Sequence, residues 1–338
     1  MWRHYTRAAV TDSVDELAAA GLLQHDRTRP SPAAKRRSRF RATDVLLEKA
    51  KLIRSDAFRC CRGPSVIVRD RIGQPIVRDC RTMWRLAAEV DAHNKFIGGF
   101  VITIDHPDAR LDDHGFVCVG SQRVNPHLRY YCRIYNGSWL CGGRWFGPWW
   151  QQLPSRTRTG LRIDGAPCVE EDFPACHLRL LMAAVGDKDR NASDDPYAMP
   201  DVKRPVAKIA VNIMLNSSSE AKALAAVRRI ISADFSHIHL PPPDYIFTAA
   251  RLALPHLAPF WFTGVGRRLQ TYDADICARV QRRLRKLGVC CLTVHDNFLV
   301  PVQAETLLKD TMKQEFSIGC RRIVSDRYFT SKIGALKR

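Results

Sequence analysis

Leu269, Ile276, Val280, Leu284 and Leu287 recur at helical spacing, with Arg279, Arg282, Arg283, Arg285 and Lys286 elsewhere on the same turns. The pattern predicts an amphipathic helix that Gly288 ends. The apolar run 289–294 then predicts a strand, a His295-Asp296 turn sits on top of it, and a second apolar run begins at Phe298. Upstream, Arg162-Ile-Asp164-Gly165-Ala reads as a hairpin turned at Asp-Gly, whose second strand ends at Asp172. Helical patterns follow over 176–185, 202–215, about 219–232 and about 244–254, with a polar loop at 186–201 and Pro205 in a first helical turn. Nearer the start, residues 8–23 predict a helix capped by Asp12 or Ser13 and ended by Gly21, and residues 44–53 a second helix. Val66-Ile-Val and Ile76-Val around Gly73 predict a hairpin, 81–94 a helix and 96–104 a strand. The mixture predicts an α+β fold without internal repeats.

Charge narrows the partners. The 338 residues carry 53 Lys and Arg against 34 Asp and Glu, a net of +19. Such an excess favours a polyanion, either nucleic acid or an anionic membrane. No apolar stretch reaches the roughly 18 residues of a membrane span, and Asp12, Asp15 and Glu16 fit neither a signal nor a transit peptide. Nucleic acid is the expected partner. None of the twelve cysteines forms a Cys-x-x-Cys pair, so neither a zinc site nor a disulfide scaffold is expected, and reduced thiols imply a cytoplasmic location.

The stretch from Arg129 to Arg156 interleaves aromatics, Gly and Arg, a composition suited to bases and phosphates and equally to a Trp-rich core corner. Asp172 and Asp296 each end a strand. If those strands are neighbours, the two carboxylates converge as two-metal chemistry requires. Arg204 and Lys208 are four apart, share a helix face and can grip a triphosphate together, with Asn212 and Asn216 continuing that face.

Asp172-Phe-Pro-Ala-Cys-His-Leu-Arg179 resembles motif A of the family A DNA polymerases, Asp-Tyr-Ser-x-x-Glu-Leu-Arg. Arg204-x-x-x-Lys208-x-x-x-Asn212-x-x-x-Asn216 is similar to motif B, and His295-Asp296 to the His-Asp-Glu of motif C. Gly143-Arg144 with Gln152-Leu-Pro-Ser-Arg156 resembles the primer–template segment, and Gln270-Thr-Tyr-Asp-Ala-Asp275-Ile276 the helix before motif C. The five come in the family's order over roughly 140–316. The single-subunit phage-type RNA polymerases share that order.

The resemblance implies a right-hand polymerase: a palm whose antiparallel sheet is flanked by helices, with helical fingers, over 141–338. Residues 61–140 would be a reduced thumb or linking region, and 1–60 a small module that resembles a winged helix, its basic hairpin at 35–43 reading equally as a solvated loop. It implies that Asp172, Asp296 and the carbonyl of Phe173 ligate two Mg²⁺ or Mn²⁺ ions, with Lys208 assisting the leaving group. Arg204, Lys208, Asn212, Asn216 and His177 would meet the nucleoside triphosphate, and Arg144, Arg156, Arg179, Gln270 and His295 the DNA primer–template. His177 stands where the DNA polymerases have Glu, Asn212 and Asn216 replace aromatics, and Asn297 replaces the Glu of motif C. The expected activity is that of a minimal, monomeric DNA polymerase without proofreading, of a kind suited to a mobile element. An RNA polymerase, primase-like enzyme or terminal transferase is the alternative within the class. A catalytically silent DNA-binding replication or regulatory protein is the alternative outside it.

Overall fold

The computed structural model describes residues 7–26, 39–51, 63–70, 72–76, 79–113, 115–120, 122–186, 195–235 and 240–334. The chain divides into two compact units, Met1–Arg62 and Gly63–Arg338.

In the first unit, α1 (Arg7–Ala19) is followed by an antiparallel ribbon of β1 (Leu23–Asp26) and β2 (Arg39–Ala42), then by α2 (Asp44–Lys51). Gly21, at φ 70, turns the chain out of α1 as expected. The predicted caps Asp12 and Ser13 are corrected: α1 begins at Arg7, so both lie within it and neither can serve its first N–H groups. Thr43 does cap α2, accepting from the Leu46 amide at 3.4 Å while donating to the Gly21 carbonyl at 2.7 Å. Of the basic stretch 35–43, residues 35–38 lie outside the described residues.

The second unit opens with β3 (Val66–Arg69), β4 (Pro75–Ile76), α3 (Arg81–Ile97), β5 (Ile102–Ile104), β6 (Ala109–Leu111), β7 (Val117–Val119) and β8 (Gln122–Val124). It continues with β9 (Cys132–Asn136), β10 (Ser138–Phe146), α4 (Ser155–Arg158), β11 (Leu161–Ile163), β12 (Ala166–Asp172), α5 (Cys176–Val185), α6 (Arg204–Asn216), α7 (Glu220–Asp234) and α8 (Pro243–Ala253). It closes with α9 (Gly266–Lys286), β13 (Leu292–Val294), β14 (Asn297–Pro301), α10 (Glu305–Val324) and α11 (Arg327–Gly334). The fold is mixed, with helices packed against several small and mostly antiparallel sheets.

The strand predicted over 96–104 is corrected. Helix α3 continues through Ile97, which is fully buried, and only Ile102–Ile104 joins a sheet. The strand predicted over 289–294 shortens to β13. Cys290 and Cys291 precede it, buried as small hydrophobes, and burial pushes the Cys290 thiol up to about 12. The ten described cysteines form no disulfide, and no helix among the described residues is long and apolar enough to cross a membrane.

A five-stranded antiparallel sheet in the order β13-β14-β12-β11-β5 positions the candidate chemistry. The β11–β12 hairpin turns at Asp164 and Gly165, both at positive φ (50 and 81), as an Asp-Gly turn requires. A second sheet, β10-β9-β3-β4, contains one parallel pair, β3 with β9. Helix α9 lays its apolar stripe, Leu269, Ile276, Val280 and Leu284, into the core. Trp145, Trp149 and Trp150 are all at most 1 % exposed, so the aromatic stretch resolves as the core corner.

Candidate active site

Strand β12 ends at Asp172, and its register with β14 runs from Cys168–Pro301 to Asp172–Asn297. Strand β14 in turn pairs with β13 so that Val294 faces Asn297, which leaves His295 and Asp296 as the two-residue turn. Asp296 is therefore adjacent in sequence to the cross-strand partner of Asp172. The expected juxtaposition of the two strand ends is present. His295 takes φ 61, the left-handed value that a tight turn imposes on its first residue. Beyond Asp172, the ring of Phe173 packs on Phe298 at 5.7 Å and Phe316 at 5.2 Å. Ala175 at φ 57 then turns the chain into α5.

The neighbouring acids are engaged. Glu170 accepts from Arg158 Nε at 3.0 Å and from Asn297 Nδ2 at 2.7 Å. Glu171 pairs with Lys309 at 3.1 Å. Asp172 and Asp296 differ: neither carboxylate has a hydrogen-bond or ion-pair partner among the described residues, with Asp172 exposed and Asp296 half-buried. No three His, Cys, Asp or Glu side chains converge on a metal site among the described residues. The donor set on offer is thus two unpaired carboxylates, which leaves most positions of a hard divalent cation for oxygens from elsewhere.

Beside this pair lies a buried polar cluster. Strand β10 bulges at Gly142 and Gly143, both at positive φ (88 and 86). A Cβ on Gly143 would meet the Tyr135 ring at 2.6 Å, so only glycine allows the bulge that turns Arg144 toward α9. There Arg144 Nε donates to Asp273 at 2.9 Å, and His177 Nε2 approaches the same carboxylate at 2.6 Å. Burial would raise the pKa of Asp273, but His177 and Arg144 outweigh it and hold the carboxyl below its ordinary range. His295 lies against Phe146, ring centroids 5.1 Å apart, and burial followed by the Arg144 charge lowers its pKa.

The remaining expected residues lie on other elements, each with its own surroundings. Arg204 donates from Nε to Asp195 at 2.6 Å and lies over the Tyr197 ring, an arrangement in which its charge is already met. Lys208 is exposed one turn further along α6, with no ion-pair partner among the described residues. Asn212 is half-buried, and its carbonyl accepts from Asn216 Nδ2 at 2.8 Å. Asn216 packs on Gly266 at the start of α9 and, with Gln270, Arg267, Asn136 and Asp70, lines a polar cleft of about 490 Å³. Arg179 donates to the Pro174 carbonyl at 3.1 Å. Arg156 is exposed, 3.7 Å from Asp108.

One reading of the basic residues is corrected. Arg129 and Arg133 are structural rather than part of a stacking surface. Arg129 donates to the Ile97 and Phe100 carbonyls, and Arg133, fully buried, donates to Gly143 O at 2.7 Å and Asp275 at 3.0 Å. On α9, Arg279 pairs with Glu315 at 2.9 Å and Arg282 with Glu89, so these charges hold helices together. Asp273 was the functional candidate that motif reasoning left without a role. Its signal was available: it falls four residues after Leu269 and three before Ile276, an acid on an apolar stripe. No known protein family and no curated protein matches this chain.

Proposed function

We propose that this chain is a template-directed nucleotidyltransferase, a minimal DNA polymerase that extends a primer 3′-hydroxyl without proofreading, its β12–β14 sheet serving as a polymerase palm. The observation that carries the reading is the free state of two carboxylates. The Asp172 and Asp296 carboxylates sit at adjacent strand ends with no partner among the described residues, while Glu170, Glu171 and Asp273 around them are all engaged. An unpaired pair of acids on a chain of net charge +19 favours a cationic ligand inside an otherwise polyanion-binding surface.

Asp172 and Asp296, with the Phe173 carbonyl, would hold Mg²⁺ or Mn²⁺ ions, leaving the remaining positions to substrate oxygens. When bound, such ions activate the 3′-hydroxyl and neutralise charge on the triphosphate. Lys208, exposed on α6, offers an ammonium to the leaving pyrophosphate. Arg204 grips the terminal phosphate after leaving Asp195, an exposed pair that costs little to part. His177 faces the sugar and Arg144 the primer terminus, while His295 holds its ring on Phe146 beside the reacting edge.

The test is extension of a labelled primer–template in Mg²⁺ or Mn²⁺, with deoxyribonucleotides and ribonucleotides in separate reactions and Asp172→Ala protein alongside. Extension by wild type alone, with deoxyribonucleotides, is the expected result. Ribonucleotide incorporation would assign an RNA polymerase. Tight DNA binding without extension, equal in the mutant, would leave a DNA-binding protein.

A further inference from the structure

Asp273 is 2 % exposed and projects from the apolar stripe of α9, where a leucine would cost no desolvation. Two groups from separate elements converge on it. Arg144, from the β10 bulge, donates through Nε to both carboxylate oxygens (2.9 and 3.3 Å) and through Nη2 to Oδ2. His177, from the first turn of α5, brings Nε2 to 2.6 Å from Oδ2. A carboxylate held ionised only accepts, so His177 Nε2 carries a proton. The 3.2 Å approach of Arg144 Nη2 to that nitrogen is then two donors converging on one oxygen. Neither Arg144 nor His177 has another side-chain partner among the described residues. One buried carboxylate thus sets the direction of both. The cluster also adjoins the two strand ends: Arg144 is two residues before Phe146, whose ring packs on His295 beside Asp296, and His177 is five residues after Asp172.

We propose that Asp273 is a positioning residue that sets His177 toward the nucleotide and Arg144 toward the primer terminus beside Asp172 and Asp296, so that its charge governs nucleotide binding. The inference rests on the nucleotidyltransferase reading for its kinetic consequence, and on geometry alone for the orientation of His177.

Two measurements on the full chain test it. In steady-state extension, Asp273→Asn is expected to raise KM for the nucleotide roughly tenfold or more, with kcat within about threefold. Asp326→Asn is the control. It removes the charge of another carboxylate that anchors α9, held by Arg268 at 2.7 Å and by the Tyr272 hydroxyl, and is expected to leave KM within about twofold at a comparable loss of stability. An unchanged KM in Asp273→Asn, or equal rises in both variants, overturns the proposal. The second measurement is imidazole ¹⁵N–¹H spectroscopy with histidine-labelled protein, the His177 signal assigned through His177→Gln. A protected Nε2 proton in wild type, lost to exchange in Asp273→Asn, is expected; the same protected signal in both overturns the orienting role. If wild type incorporates no nucleotide, the functional reading fails by itself, and the spectra decide the role of Asp273.

Discussion

Asp172 and Asn297 are cross-strand partners at the open end of the central sheet, which brings the Asp296 turn to the end of β12. Neither carboxylate belongs to the side-chain network across those strands, which Arg158, Glu170 and Asn297 form.

Asp172→Ala and Asp296→Ala are therefore expected to separate activity from stability. Each should lower nucleotide incorporation by roughly a thousandfold. Each should shift Tm by no more than about 2 °C, because no hydrogen bond or ion pair is lost. Affinity for duplex DNA should hold or rise slightly, as removing an acid spares phosphate contacts. Primer extension, thermal unfolding and a salt titration of binding check the three outcomes together.

Arg204 is held by Asp195 at 2.6 Å on an exposed surface. If Arg204 must leave that carboxylate to take a phosphate, Asp195→Asn should lower KM for the triphosphate by about two- to fivefold, in keeping with the small worth of exposed pairs. The gain should shrink at high salt, where screening already weakens the competing pair. An unchanged KM would remove Arg204 from the phosphate site.

His93 supplies a pH dependence. Fully buried between the Tyr131 and Trp145 rings, each 5.6 Å away, it has no hydrogen bond on either ring nitrogen among the described residues. Burial, reinforced by the Arg285 charge, lowers its pKa from 6.5 to about 3. Between those values the unfolded chain binds a proton that the folded chain refuses. The stability associated with neutral His93 is thus complete above pH 6.5 and is lost as pH falls toward 3. The slope reaches at most about 1.4 kcal/mol per pH unit. Urea unfolding at several pH values should show this slope in wild type, and His93→Phe should flatten it.

At the start of α9, a methyl on Gly266 would come within 2.1 Å of Asn216 Oδ1 and 2.5 Å of its Cγ. Gly266→Ala is expected to cost about 1–3 kcal/mol, because Asn216 must give up its place against the helix. Asn216→Ala in the same protein should recover much of that loss. A double-mutant cycle by urea denaturation should then show a coupling above roughly 0.5 kcal/mol.

What was legible in the sequence is local. The Asp164-Gly165 hairpin, the start of α5 at Cys176, Pro205 at the head of α6 and Gly288 after α9 depend on neighbours within a turn or two, and each lies where its residues predict. The strand end at Asp172 and the His295-Asp296 turn were legible as well, but that their two strands pair was a condition the sequence left open and the β12–β14 register meets. Residues 96–104 were not. Their apolar run suits a strand, but Ile97 completes the buried stripe of α3, and that packing extends the helix.

The sequence by itself determined those elements whose signals lie within a few residues, and the two acids on which the proposed chemistry rests. Only the tertiary structure decided which charges remain available to a ligand. Arg129 and Arg133, in a stretch whose composition suits bases and phosphates, are instead spent on the Ile97 and Phe100 carbonyls and on Asp275, whereas the Asp172 and Asp296 carboxylates meet no partner among the described residues. Asp273, set in an apolar helix stripe, became the hub of Arg144 and His177. The reason is physical: periodicity and turn chemistry act between residues a few positions apart, while desolvation and ion pairing depend on which surfaces meet when distant segments pack.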